Sequence, residues 1–198
     1  MVLKKSSMHR VFAFLLALLA VQPAWADWRV DAESSRVSFI VSKDAQQTDV
    51  GRFFGLLGDV DPAGHVRLQI EIDSLRTGSL LQDQRLRKEL FASRRFPYAE
   101  VHARLELQPI SKLAPGAQME LSVPATLTLL GKEKVLNTEL LITRLDDHRF
   151  QVVTLSPVVL DVTDFGLGPV VDSLRRSVGL QSVSQAVPVT AVLILTER

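Results

Sequence analysis

Period two dominates the chain. In Val66-Arg67-Leu68-Gln69-Ile70-Glu71-Ile72-Asp73, apolar and polar residues alternate at every step. Successive side chains of a strand point to opposite faces, so this segment predicts a strand with one dry and one wet face. Leu121, Val123, Ala125, Leu127 and Leu129 repeat the pattern, with Ser122, Thr126 and Thr128 between them. Val101, Ala103, Leu105 and Leu107 alternate with His102, Arg104, Glu106 and Gln108, and Val37, Phe39 and Val41 alternate more weakly. The pattern predicts eight strands, over 35–43, 51–60, 65–73, 98–108, 119–130, 134–144, 149–160 and 187–196. Asp61-Pro62-Ala63-Gly64 and Ala114-Pro115-Gly116 read as turns, and Asp146-Asp147 as a short loop. Strands joined by short turns are antiparallel, because a parallel pair needs a long crossover.

Two segments break the rhythm. Ser79 to Ala92 predicts a helix: Ser79 can cap it, Asp83 and Arg87 lie one turn apart, and Leu86 and Leu90 share a face. Asp172 to Val178 predicts a shorter helix, stopped by Gly179. The fold class is therefore all-β with two helices. Eight antiparallel strands can form a two-sheet sandwich or a closed barrel, and a barrel of eight can be filled by side chains or hold one small ligand. Periodicity does not choose among these.

The first 26 residues differ from the rest. Lys4, Lys5 and Arg10 give a basic start without acids, Val11–Val21 is an apolar run of eleven residues, and Ala24-Trp25-Ala26 is a small-x-small triplet. This is the plan of a cleavable export signal, with cleavage expected between Ala26 and Asp27. The run is shorter than the ~20 residues of a spanning helix. The expected mature chain, 27–198, is one domain in the periplasm.

Composition narrows the chemistry. The 198-residue chain is 46% hydrophobic and carries 23 basic against 22 acidic residues, for a net charge of +1. That balance lacks the basic excess of a nucleic-acid binder. Without cysteine there is no disulfide, thiolate nucleophile, zinc–thiolate site or lipoprotein anchor. His65, His102 and His148 lack the spacing of a zinc-protease motif and read as surface residues. No Gly-x-Ser-x-Gly elbow is present. Asp83, Glu89, Asp161 and Asp164 read as turn and surface carboxylates, and Gly51, Gly55 and Gly58 as points of close backbone approach. Arg85, Arg87, Lys88, Arg94 and Arg95 are interleaved with Asp83 and Glu89, as on a solvated helix face. No metal site, cofactor or catalytic constellation is expected.

Several motifs together resemble the YceI family of periplasmic, lipocalin-like barrels that bind polyisoprenoid lipids. Trp28-Arg29-Val30-Asp31 and Ser35-Arg36-Val37-Ser38-Phe39 resemble its first strand, and Gly51-Arg52-Phe53 its second. Thr77-Gly78, Asp83, Leu86-Arg87, Leu90-Phe91 and Phe96-Pro97 resemble its central signature. Leu127-Thr128-Leu129-Leu130-Gly131, Lys134-Val135 and Asp164-Phe165-Gly166 complete the series. The chain departs from the family in having Gln82 before Asp83, Leu90 beside Phe91, and Val162-Thr163 before Asp164. Its long segment after Gly166 resembles a subgroup found with membrane b-type cytochromes.

The resemblance implies an eight-stranded lipocalin-like barrel that binds a polyisoprenoid lipid or isoprenoid quinone without catalysis. The expected lining is Phe39, Val41, Phe53, Leu68, Ile70, Ile72, Leu105, Leu127 and Leu129, with Asp83, Arg85 and Arg87 near the lipid's head group. The alternative is an interaction or stress protein with a filled barrel and no lipid, partnering a membrane cytochrome.

Overall fold

The computed structural model describes residues 27–44 and 47–197. The predicted export segment, 1–26, lies outside the described residues. Twelve strand segments form one antiparallel sheet. They are β1 (Trp28–Val30), β2 (Arg36–Lys43), β3 (Gln47–Phe53), β4 (Leu56–Val60), β5 (His65–Glu71), β6 (Leu75–Arg76), β7 (Tyr98–Arg104), β8 (Gln118–Leu129), β9 (Lys132–Arg144), β10 (Arg149–Thr154), β11 (Val158–Asp161) and β12 (Ala186–Glu197). The order β1-β4-β5-β7-β8-β9-β10-β12 closes on itself because β1 also pairs with β12. The result is a closed eight-stranded antiparallel barrel, which settles the choice against a sandwich. Closure leaves no free edge in the ring.

Twelve segments make eight staves because some staves are broken. β12 is long enough to carry β10 and β11 along one edge and β1 and β2 along the other. β3 pairs with β2 and β4 with β1, so they too are halves of one stave. The predicted strands merge β3 with β4 and β10 with β11; alternation keeps its phase across the second break, from Phe150 to Leu160, whereas at the first the buried positions shift from Phe53 to Leu56. The break between β1 and β2 is bridged by a side chain: buried Ser35 accepts a hydrogen bond from the Ile194 N–H of β12 at 2.9 Å, at the point where β12 passes from one segment to the other.

The helices differ more from expectation. The predicted helix over 79–92 is α1 (Leu80–Arg85), continued by a single π turn over Leu86–Leu90. Ser79 caps it, its hydroxyl accepting from the Gln82 N–H at 3.4 Å. The helix predicted from Asp172 starts earlier. It is α3 (Gly168–Ser177), with Pro169 in the first turn, where its fixed φ suits the helix and its missing N–H costs nothing. Gly179, at φ 74°, ends it as expected. The predicted strand 98–108 stops at Arg104. Beyond it lies α2 (Leu107–Ser111), an unanticipated helix whose Ile110 is buried. Pro109 is the reason: it lacks the N–H a ladder needs but fits a helix's first turn.

Two apolar clusters divide the interior. Trp28, Val60, Ile110, Ile142, Phe150 and Leu195 fill one end, which α2 covers. The other cluster includes Val37, Phe53, Leu56, Leu68, Ile70, Leu75, Phe165 and Leu167, with Leu86, Leu90 and Phe91 of the α1 segment packed against it.

Candidate functional site

The second cluster does not fill its half of the barrel. A cavity of about 660 Å³ lies inside the staves. This falls within the ~300–1,000 Å³ range of small-molecule sites. A barrel interior filled by its own side chains, which the interaction-protein alternative required, is not what the structure has.

The period-two pattern builds the wall. Leu68 and Ile70 of β5 and Val101 and Ala103 of β7 face the space, as do Val123, Ala125, Leu127 and Leu129 of β8. All nine residues expected to line a cavity do so: Phe39, Val41, Phe53, Leu68, Ile70, Ile72, Leu105, Leu127 and Leu129. Gly51 has a specific job in this wall. It stands opposite Phe39 in the β2–β3 ladder, and a Cβ built on it would collide with the Phe39 ring. The ring lies across bare backbone, which only glycine allows.

The pattern also missed part of the lining. Val187, Val189, Ala191, Leu193 and Leu195 of β12 all border the cavity. Their alternation is in the sequence but hidden, because Pro188, Val192 and Ile194 between them are apolar too. Leu86, Leu90 and Phe91, and Leu174 of α3, reach the space from the helices. Thr138 and Thr154 add hydroxyls to an otherwise apolar wall.

Asp59 and Arg67, ion-paired at 3.1 Å, border the cavity from β4 and β5, and further polar residues gather at the mouth. Lys43, Gln47 and Asp49 come from β2 and β3, Gln82 and Arg85 from α1, and Arg175 and Ser184 from α3 and the segment after it. Lys43 pairs with Asp49, which also accepts from Gln82 Nε2 at 3.0 Å. The hydrogen bond from Lys43, with help from Gln82, holds the Asp49 carboxyl below its ordinary pKa against the opposing effect of partial burial. Arg175 pairs with Asp172 at 3.4 Å and donates to the Leu180 and Gln181 carbonyls, both at 3.0 Å. Arg85 forms no ion pair among the described residues. It is half-buried and borders the cavity.

The other two residues expected near a head group are placed differently. Asp83 is 2% exposed and does not border the cavity. Its Oδ1 accepts from the Thr77 N–H at 2.8 Å and the Thr77 hydroxyl at 2.7 Å. Arg87 sits 3.8 Å from the same carboxylate and donates to the Leu75 carbonyl at 2.7 Å. Together they clamp the start of α1 to the barrel rim. A buried carboxylate needs such partners, and these consume it. Asp83 and Arg87 thus position the mouth helix, while Thr77 of the same motif borders the cavity. In Asp164-Phe165-Gly166, Phe165 is buried and borders the cavity, and Asp164 pairs with Lys134 at 2.9 Å.

Several titratable groups elsewhere are held in pairs or turns. His65 contacts Asp61 at 2.8 Å and His148 contacts Glu197 at 3.2 Å, both on the surface. Asp161 accepts from its neighbour Thr163. No group of three or more His, Asp or Glu suited to a metal occurs among the described residues. The site's chemistry is that of a container: apolar walls, a polar rim and one unpaired guanidinium.

The chain is similar to a polyisoprenoid-binding domain from Saccharophagus degradans implicated in plant cell wall breakdown. The two are 32% identical, with 86% of this chain and 98% of that one covered and a TM-score of 0.84. Burkholderia cenocepacia BcnA shares the fold at 18% identity, with 83% and 98% covered and a TM-score of 0.62. Campylobacter jejuni YceI does so at 15% identity, with 75% and 84% covered and a TM-score of 0.52. No curated protein sequence matches. The signature of the YceI-like domain matches residues 28–195, nearly all of the barrel, and the chain belongs to that family.

Proposed function

We propose that the protein binds a polyisoprenoid lipid, isoprenoid quinones included, with the tail in the cavity and the head at the mouth beside Arg85. It acts as a carrier or reservoir and makes no covalent change. The observation that carries this reading is the apolar cavity, opening at a rim where polar groups gather. The polyisoprenoid-binding domain of Saccharophagus degradans, 32% identical over 86% of this chain, supports it. At roughly 30 Å³ per non-hydrogen atom, the share of a water molecule in the liquid, the cavity holds on the order of twenty atoms. That corresponds to about four isoprene units, and each buried methylene contributes about 0.8 kcal/mol. Affinity then comes from the tail, while the head needs few contacts. The export-signal pattern of residues 1–26 supports action in the periplasm after cleavage at Ala26-Asp27.

Native mass spectrometry of the protein recovered from periplasm, followed by organic extraction, tests the reading. The expected result is one isoprenoid per chain. Ala103→Phe, which places a ring in the cavity, should abolish the adduct with little loss of stability, because it fills space rather than overpacking a full core. A lipid-free mass, together with refusal of an added isoprenoid quinone and an added polyprenyl phosphate, would sink the proposal.

A further inference from the structure

The rim of the mouth contains an anomaly. Leu80 and Leu81 occupy the first turn of α1, yet they are 78% and 62% exposed. Val178, just past the last turn of α3, is 52% exposed. Helices on a protein surface normally turn their apolar residues inward. Here Leu81 and Val178 border the cavity and water together, so an apolar lip runs from the inside of the barrel to its outside.

The lip is held in place. Asp44, in the β2–β3 hairpin, accepts from the Gln181 and Ser182 N–H groups, both at 2.7 Å, tying the hairpin to the segment after α3. Gln82 ties α1 to β3 through Asp49. The exposed side chains are therefore presented on fixed backbone.

Charge adds a second constraint. Of the cations at the rim, Lys43 is matched by Asp49 and Arg175 by Asp172. Arg85, which borders the cavity one helical turn from Leu81, has no carboxylate within salt-bridge distance among the described residues. Yet residues 27–198 carry 23 − 3 = 20 basic against 22 acidic side chains, a net charge of −2. An unpaired cation thus stands beside exposed apolar side chains on a chain that is acidic as a whole. Apolar residues flanked by arginines suit the boundary between acyl chains and anionic headgroups.

We propose that this lip docks the barrel on a lipid bilayer bearing anionic headgroups, with Leu80, Leu81 and Val178 entering the interface and Arg85 meeting phosphate. The inference rests on the lipid-binding reading above, for which it supplies a route. With the mouth seated on the bilayer, a tail passes into the cavity without crossing water, the step that would otherwise limit transfer.

The barrel closes within the described residues, so the chain beginning at Asp27 is the protein to test. It is floated with vesicles of phosphatidylethanolamine and phosphatidylglycerol, and farnesol binding is measured separately in solution. The wild type should float with the vesicles. The combined variant Leu80→Ser, Leu81→Ser and Val178→Ser should lose binding by about tenfold or more, since interfacial affinity scales with buried apolar area, and Leu80→Ser alone, whose side chain does not border the cavity, should lose part of it and keep its farnesol affinity. Leu57→Ser with Leu145→Ser, exposed elsewhere on the barrel, should float like the wild type. A wild type left unbound, or a triple-serine variant that floats equally well, overturns the proposal. Loss of farnesol binding in the wild type with flotation intact would instead overturn only the cargo reading. Leu81→Trp covers the case of poorly folded serine variants: its emission should shift to the blue on adding vesicles, and an unchanged spectrum overturns the docking.

Discussion

The two ends of the barrel use the same materials to opposite effect. At the closed end Trp28 and Phe150 meet edge to face, with ring centroids 5.2 Å apart. Arg144 lies over the Phe150 ring at 5.7 Å and donates to the Ser111 and Leu113 carbonyls, fastening α2 over the end. At the open end Phe39, Phe53 and Phe91 also form a chain, at 5.6 Å and 6.2 Å, but these rings border empty space. Both ends stand on alternating strands. What differs is what crosses the barrel axis: interlocked side chains at one end, nothing at the other. One end is built for stability and the other for contents.

That contrast predicts unequal costs for the same deletion. Phe150→Ala removes a ring packed on all sides and should cost about 3–5 kcal/mol. Phe39→Ala, half-buried beside the cavity, should cost roughly half as much, because a ring that already faces a void has fewer contacts to lose. Urea unfolding of both variants makes the comparison. Equal costs would mean that the open end is packed in solution.

A smaller effect probes the wall itself. Gly51→Ala puts a methyl where the Phe39 ring lies, and the strain should cost about 1–3 kcal/mol. The ring can escape only by swinging into the cavity, so lipid capacity should fall along with stability. Adding Phe39→Ala should recover part of the loss, and a double-mutant cycle reads the coupling. Additive costs would show that ring and glycine are not in contact. A comparable cost, about 1–3 kcal/mol, is expected for Ser35→Ala, which strips the Ile194 N–H of its partner at the β1–β2 break.

The contrast also explains what could be read from the sequence. Inward and outward faces follow from side-chain alternation alone, so every expected lining residue borders the cavity. Whether facing side chains meet across the axis depends on barrel closure, the stave breaks and the placement of the helices. Those are long-range facts that no local period encodes. The polar site was less legible still. Asp83, Arg85 and Arg87 lie within five residues on one helix, but the helix is pinned so that Asp83 and Arg87 serve the rim and only Arg85 reaches the mouth. The exposed leucines at positions 80 and 81 look like ordinary helix residues until the burial of their neighbours is known.

The smallest expected effect concerns pH and belongs to the open end alone. Asp49 links β3 to Lys43 and to Gln82 of α1, and those bonds lower its pKa in the folded state below the ordinary 3.8. A carboxylate with a lowered folded pKa adds stability that is complete above its unfolded value and is lost as pH falls through the folded one. Asp49 is about one-third exposed, so solvent screening keeps the contribution small. Asp49→Asn should therefore be slightly less stable than the wild type near neutrality, and the gap should close as the pH is lowered from about 6 to about 2. Urea midpoints across that range measure it. The closed end offers the control. Its Phe150→Ala deficit arises from lost packing, has no titrating group behind it, and should stay constant over the same interval. A gap at Asp49 that persists at the acid limit would mean that shape rather than charge holds α1 to the mouth.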